Sequence, residues 1–239
     1  MSVFRSVAAA TALSLIAASA GAQAITSPSQ SATAAPFDIV RTEVVSDGAD
    51  LVFKVQVRGE AGALKPKAVG QFAGSAVYSY VWPTSLDSAT VGFDSAQGIL
   101  ALAVTFHPDF DDGAAGAVNR HVWHPHWVVL VKDPACGPAA LKVRDIPEGA
   151  KPKVPATWPG VPLLIDSPTY PTTLATDTVQ VRVPASVIGA SEGVKFDGVT
   201  AALKINANLH APLLCVSDVF DVASGDLSLP GKIARGHAH

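Results

Sequence analysis

The segment Val44-Val45-Ser46-Asp47-Gly48-Ala49-Asp50-Leu51-Val52-Phe53-Lys54-Val55-Gln56-Val57 sets the fold class. Leu51, Phe53, Val55 and Val57 alternate with Val52, Lys54 and Gln56, the two-residue period of a strand with one buried face. Asp47-Gly48 is a favoured turn pair between two such runs, so the segment predicts a β-hairpin. Outward from it the same signature recurs. Ala76 to Val81, Thr90 to Phe93, Ile99 to Phe106, Val122 to Lys132 and Ala140 to Val143 are short, Val-rich runs separated by Gly, Pro, Asp and Ser. Val161 to Ile165, Thr178 to Val183, Val194 to Ile205 and Leu213 to Val222 complete the set. No segment sustains a 3.6-residue apolar period beyond about two turns. Pro184 to Gly189 allows a single helical turn at most. About ten strands without alternating helices predict an all-β fold, an antiparallel β-sandwich. Ile99 to Phe106 and Trp127 to Val131 are apolar on both faces, as central strands are when both sides are covered.

The ends of the chain read differently. Met1 to Arg5 is a short basic start, Val7 to Ala20 an apolar, Ala-rich stretch, and Ala20-Gly21-Ala22 fits a small-x-small cleavage rule. Residues 1–22 are therefore expected to be a secretory signal peptide. Residues 23–36, rich in Ser, Ala, Thr and Pro, read as a flexible lead-in. A single β-sandwich domain is expected over 37–230, and a flexible tail over 231–239. Lys151 to Pro168 holds Pro152, Pro155, Pro159, Pro162 and Pro168, which remove ladder donors. It reads as a surface loop held over the domain by Trp158, Leu163, Leu164 and Ile165. No later stretch has the length of a transmembrane helix, so no membrane insertion is expected. The expected location is periplasmic or extracellular, the cell surface included, since export alone permits either.

Hydrophobic residues make up 49% of the chain and charged residues 15%, ample for a sizeable core. The net charge of −3 argues against nucleic acid or an anionic membrane surface as partner, since both require a basic face. The two cysteines, Cys136 and Cys215, lie in the exported part. In an oxidising compartment they should form one disulfide, closing a loop of roughly 80 residues. Bonded cysteines cannot be thiolate ligands, and the one methionine, Met1, belongs to the signal peptide. Any transition metal must then rely on imidazole and oxygen.

That restriction matters because of His121-Val122-Trp123-His124-Pro125-His126-Trp127, which packs three of seven histidines and two of four tryptophans into a short stretch. On an extended strand His124 and His126 share a face, about 7 Å apart. His121 falls on the other face. His107 ends a second apolar run and is the expected third ligand, from a neighbouring strand. The competing reading makes these histidines polar strand ends and the tryptophans core. Asp109, Asp111 and Asp112 before Gly113 lack the full spacing of a calcium loop and read as a solvated acidic turn. Trp82, ending the run Tyr78-Ser79-Tyr80-Val81-Trp82, is a candidate wall of the same cavity as His107, and Trp123 a second. His237-x-His239 at the end of the chain is a weak metal candidate. G-x-S-x-G, H-E-x-x-H, P-loop and G-x-G-x-x-G motifs are absent from the sequence.

Two resemblances attach to these residues. His124-Pro125-His126-Trp127 is similar to the His-x-His-Trp strand of α-type carbonic anhydrases, which implies zinc; there a third histidine follows on the next strand, whereas here none occurs between His126 and His210. More broadly, Tyr80-Val81-Trp82-Pro83, Thr105-Phe106-His107-Pro108 and Trp123 to Leu130 resemble the CorA/MopE copper-binding proteins of methanotrophic bacteria. In that family two histidines and a tryptophan oxidised to kynurenine hold Cu(I). The resemblance implies copper ligands among His107, His124 and His126, and a modified residue, where one exists, at Trp82 or Trp123. The expected function is a non-catalytic exported copper-binding protein for acquisition or buffering, with a zinc-dependent lyase or hydrolase and a metal-free surface or carbohydrate-binding module as the alternatives.

Overall fold

The computed structural model describes residues 23–138, 140–189, 193–206 and 213–233. The expected signal peptide and the His237/His239 pair lie outside these residues. Strands β1 (Ile25–Thr26), β2 (Ile39–Asp47), β3 (Asp50–Val57), β4 (Ala76–Pro83), β5 (Ile99–Phe106), β6 (His124–Lys132) and β7 (Leu141–Val143) come first. They are followed by β8 (Ile165–Asp166), β9 (Thr172–Ala175), β10 (Thr178–Pro184), β11 (Lys195–Phe196), β12 (Val199–Ile205), β13 (Leu214–Val222) and β14 (Gly231–Lys232). All pairings are antiparallel, so the all-β expectation holds.

The Val44 to Val57 hairpin forms as expected. Asp47 pairs with Asp50 across Gly48-Ala49, and Gly48 takes φ +62°, a left-handed conformation that glycine adopts without a Cβ penalty. β2 and β3 sit in a five-stranded sheet ordered β1-β2-β3-β10-β9. The second sheet runs β5-β4-β12-β13-β7-β6-β8, and β5 also pairs with β6 along Ile99 to Thr105. That last pairing closes β4, β5, β6, β7, β13 and β12 into a six-stranded barrel.

Strand alternation then builds two cores. Outward-facing Tyr80 and Trp82 of β4, Leu100, Leu102 and Val104 of β5, and Trp127 and Val129 of β6 pack on Phe53, Val55, Val179 and Val181 of the five-stranded sheet. Phe53 meets Trp82 and Trp127 edge-on, with ring centroids 5.9 and 6.2 Å apart. The opposite faces of the same strands line the barrel interior with Val77, Val81, Ala101, Ala103, Val128 and Leu130, joined by Leu203 and Val216. This is why Ile99 to Phe106 is apolar on both faces: one face serves the sandwich layer and the other the barrel.

Several local expectations change. Thr90 to Phe93 is not a strand. Asp87 accepts a hydrogen bond from the Ala89 amide and Gly92 turns at φ +102°, which winds Ser88–Val91 into a 3-10 turn. Val194 to Ile205 divides at Asp197-Gly198 into β11 and β12, and of Val161 to Ile165 only the last residue enters a strand. The Ala185–Ile188 turn is the one α-helical turn among the described residues. The lead-in at 23–36 is held in place: buried Ile25 pairs with Thr42, and the Gln30 amide donates to the Asp38 carboxylate at 3.0 Å. The tail is likewise held through Ile233, with β14 pairing to β11 and Gly231 lying against the Phe196 ring. The Pro-rich loop is anchored as expected, by the Trp158 indole donating to the Leu163 carbonyl at 3.1 Å and by β8 pairing with β6. Among the described residues no helix is long and apolar enough to cross a membrane.

Candidate metal centre

His124 and His126 point to the barrel side of β6, and the β5–β6 register sets them opposite Thr105 and Ala103. His107 follows the β5 run and turns its ring to the same place. Three imidazoles from adjacent strands therefore converge at one end of the barrel. The turn after His107 brings a fourth group, the Asp112 carboxylate. His107, Asp112, His124 and His126 each offer one ligand atom, all within 4.8 Å of one another, and all four residues are buried except for slight exposure at the rim.

The separations are short. His107 Nε2 lies 3.0 Å from His124 Nε2. Asp112 Oδ1 lies 3.2 Å from His107 Nε2 and 3.1 Å from His124 Nε2, and Asp112 Oδ2 lies 3.3 Å from His126 Nε2. A tetrahedral ion with ligands at about 2.0–2.1 Å separates its donor atoms by about 3.3–3.4 Å. The four close contacts match that spacing to within a few tenths of an ångström, while the full set of ligand atoms spreads over up to 4.8 Å.

The second nitrogen of each ring fixes its tautomer. His107 Nδ1 donates to the Phe110 carbonyl at 2.9 Å, and His124 Nδ1 to the Val122 carbonyl at 2.8 Å. His126 Nδ1 faces the Asp166 carbonyl and the Ser167 hydroxyl, both at 3.1 Å. The Ser167 hydrogen is already donated to the Asp112 carbonyl at 2.6 Å, so toward His126 its oxygen accepts. In neutral imidazole a proton on Nδ1 leaves Nε2 as a bare lone pair. When the three rings are neutral, their Nε2 atoms all present lone pairs to one carboxylate, which also accepts from Asn119 Nδ2 at 2.8 Å, and a proton or a metal ion among them relieves that arrangement. Backbone carbonyls behind ligating imidazoles are also how metal-binding histidines are oriented.

Burial pushes the Asp112 carboxyl up, but positive charge carried among the facing His126, His107 and His124 rings, with the hydrogen bonds they then donate, outweighs it and holds the group well below the usual carboxylate range. Burial pushes His126 down to about 4, against the opposing pull of Asp112. Both shifts keep the groups in the forms that bind cations: an ionised carboxylate and neutral imidazole. His126 Nε2 has no hydrogen-bond partner among the described residues.

Of the residues singled out in the sequence, His107, His124 and His126 come together, and His121 is exposed outside the cluster. The aromatic candidates do not join them. The Trp82 side chain is buried in the layer between the sheets with its indole toward the Lys54 carbonyl. Trp123 packs on Tyr80 and Phe106, with its indole toward the Gly62 carbonyl. Both belong to the sheet face opposite the cluster, and strand alternation turns them away from it. The aromatic at the site is Phe110, stacked on the His107 ring at 4.0 Å. The acidic turn is also corrected. Asp109 caps the Val69 and Gly70 amides and Asp111 those of Asn119 and Arg120, whereas Asp112 is buried against the imidazoles. Nothing in the sequence distinguishes Asp112 from its two neighbours. The expected Cys136–Cys215 disulfide is present.

Comparison with known proteins finds no matching family model, curated protein or solved structure. The functional reading therefore rests on the chemistry of the site.

Proposed function

We propose that this chain is an exported protein that holds a single copper ion through His107, His124 and His126, with Asp112 as the fourth ligand, for copper acquisition or buffering. The observation that carries the reading is the convergence of three imidazole Nε2 atoms and one carboxylate on a common point, with each ring's Nδ1 turned to a backbone carbonyl. Such a group is repulsive unless a cation sits among it. Imidazole ligands favour copper over other divalent first-row ions by the Irving–Williams order, and the cysteines are withdrawn in a disulfide. The signal-peptide reading and that disulfide support an oxidising compartment outside the cytoplasm. The likeness to the CorA/MopE proteins supports copper as well. The anionic Asp112 oxygen is a hard donor, which favours a divalent ion, and Trp82 and Trp123 take no part.

The decisive test is metal analysis after dialysis against a weak chelator. The native protein should retain about one copper per chain, and His107→Ala with His126→Ala together should retain none. Stoichiometric copper in the double variant defeats the proposal. The His₃Asp donor set also suits tetrahedral zinc, so a zinc-dependent lyase or hydrolase is the second reading. Hydration of CO₂ or ester hydrolysis by the zinc-loaded protein, lost on chelation, would favour it.

A further inference from the structure

A six-stranded barrel is narrower than the eight-stranded barrels whose interiors side chains just fill. This one nonetheless contains a cavity of about 210 Å³. The cause is in the sequence. Inward positions on β4, β5 and β12 are small: Ser79 pairs with Thr105 on one side and Ala201 on the other, and Ala103 is the next inward residue of β5. Larger apolar residues, among them Val81, Val128 and Leu203, complete the walls. Side chains that would fill the axis are replaced by ones that only pave it.

The cavity has chemistry at one end. His107, His126 and Asp112 line it there, and Thr105 lies on the wall beside them, opposite His124. The Thr105 hydroxyl is buried and has no hydrogen-bond partner among the described residues. A buried hydroxyl without a partner costs stability, so the Thr105 hydroxyl offers a hydrogen bond to whatever polar group enters the chamber. Phe72 lines the same cavity, packs edge-on against Phe110, and is 46% exposed, which makes it a side chain shared between the interior and solvent. It marks a way in that does not cross the sheet.

We propose that the barrel interior binds one neutral, ring-sized apolar molecule bearing a single hydroxyl, of the class of phenol, with its oxygen at the Thr105 hydroxyl. Size supports this choice, since a dry apolar cavity of about 150 Å³ accepts benzene, and this one has room for a ring with a substituent. Charge supports it too. A carboxylate ligand would meet Asp112 at the histidine end, and an ammonium would find apolar walls over the rest of its surface. The inference stands on the cavity and Thr105 alone and does not require the metal proposal.

The test is titration of the full chain with phenol, benzene and octanoate, in metal-free and copper-loaded protein, read by calorimetry. Phenol is expected to bind saturably at one per chain and octanoate not at all. Thr105→Val keeps the shape and removes the hydroxyl. It should weaken phenol about tenfold and leave benzene within about twofold. Ala201→Leu should fill the cavity and weaken both by at least tenfold; Leu203→Ala, which enlarges it, should shift preference from phenol toward 1-naphthol. Absence of saturable phenol binding in both forms overturns the proposal, as does phenol affinity unchanged by Thr105→Val and by either size variant. Copper content, measured on the same samples, separates this outcome from failure of the metal reading.

Discussion

His107 and His124 face one another through their Nε2 atoms at 3.0 Å, although each has given its Nδ1 hydrogen to a backbone carbonyl. Two imidazole lone pairs at that distance repel unless a cation lies between or beside them. The carbonyls of Phe110 and Val122 therefore do more than anchor two rings: they hold the proton of each neutral ring on Nδ1 and leave Nε2 with a lone pair. This relationship lets the cluster hold a cation.

Asp112 supplies the one negative charge in the group, and its loss should be felt first in affinity. Asp112→Asn keeps the volume and keeps an oxygen for Asn119, but exchanges an anionic ligand for a neutral one. Copper affinity should fall by more than about tenfold while the fold is retained. Competition against a chelator of known affinity, with circular dichroism on the same samples, measures both. Unchanged affinity would show that the carboxylate is not a ligand.

Acid should destabilise the metal-free protein in a defined window. Burial holds His126 at about 4, below its ordinary 6.5, so between those values the unfolded chain binds a proton that the folded one does not. Stability contributed by the neutral ring is complete above pH 6.5 and is lost as pH falls toward 4. A difference of this size is worth on the order of 3 kcal/mol. Asp112, held below its ordinary range, adds a loss in the same direction at lower pH still. Urea midpoints of the metal-free protein from about pH 7 to pH 4 should fall accordingly, and His126→Leu should flatten most of the upper part of the curve. A native curve already flat over that range would contradict the burial argument.

Much of this site is legible in the sequence, and the limits are physical. The two-residue period puts His124 and His126 on one face because β6 is a regular strand through Pro125, which occupies a ladder position opposite Val104. His107 is legible for the same reason, at the end of a run whose pairing with β6 is fixed by two apolar faces. Asp112 is not, because a turn has no period. Which carboxylate of Asp109, Asp111 and Asp112 turns inward depends on amide partners at Val69 and Asn119 that follow no recognisable pattern. The tryptophans mislead because density along the chain is not proximity in space: alternation sends Trp123 and His124 to opposite faces. Closure of the barrel depends on the β5–β6 register on one side and on the β7 bridge to β13 on the other, and such long-range pairings leave no local signal.

The tryptophans furnish a separate prediction. Trp82 is fully buried between the sheets against Phe53, so Trp82→Phe should leave a cavity and lower the melting temperature. Trp123→Phe, at a partly exposed site, should cost less. Neither should change copper stoichiometry, because both side chains lie on the face opposite the cluster. Loss of copper in Trp82→Phe protein that remains folded by circular dichroism would return tryptophan to the ligand set.

The disulfide bears on stability more than on the metal. Cys136 lies just beyond the end of β6 and Cys215 in β13, where it pairs with Lys142 of β7, so the bond ties two sides of the barrel across 79 residues of chain. The link closes the seam at β7, a strand of three residues that offers few ladder bonds to hold β6 and β13 together. By the loop-entropy account, such a closure stabilises by about 4 kcal/mol through the unfolded state. Replacing both cysteines with alanine should therefore lower the urea midpoint strongly. Copper binding should persist under conditions where the variant is still folded, because the cluster stands on β5, β6 and the turn between them, away from the seam. Equal copper affinity with a large loss in stability is the expected pair of results. A matching loss of both would mean that the seam, and not the β5–β6 register, holds the imidazoles in place.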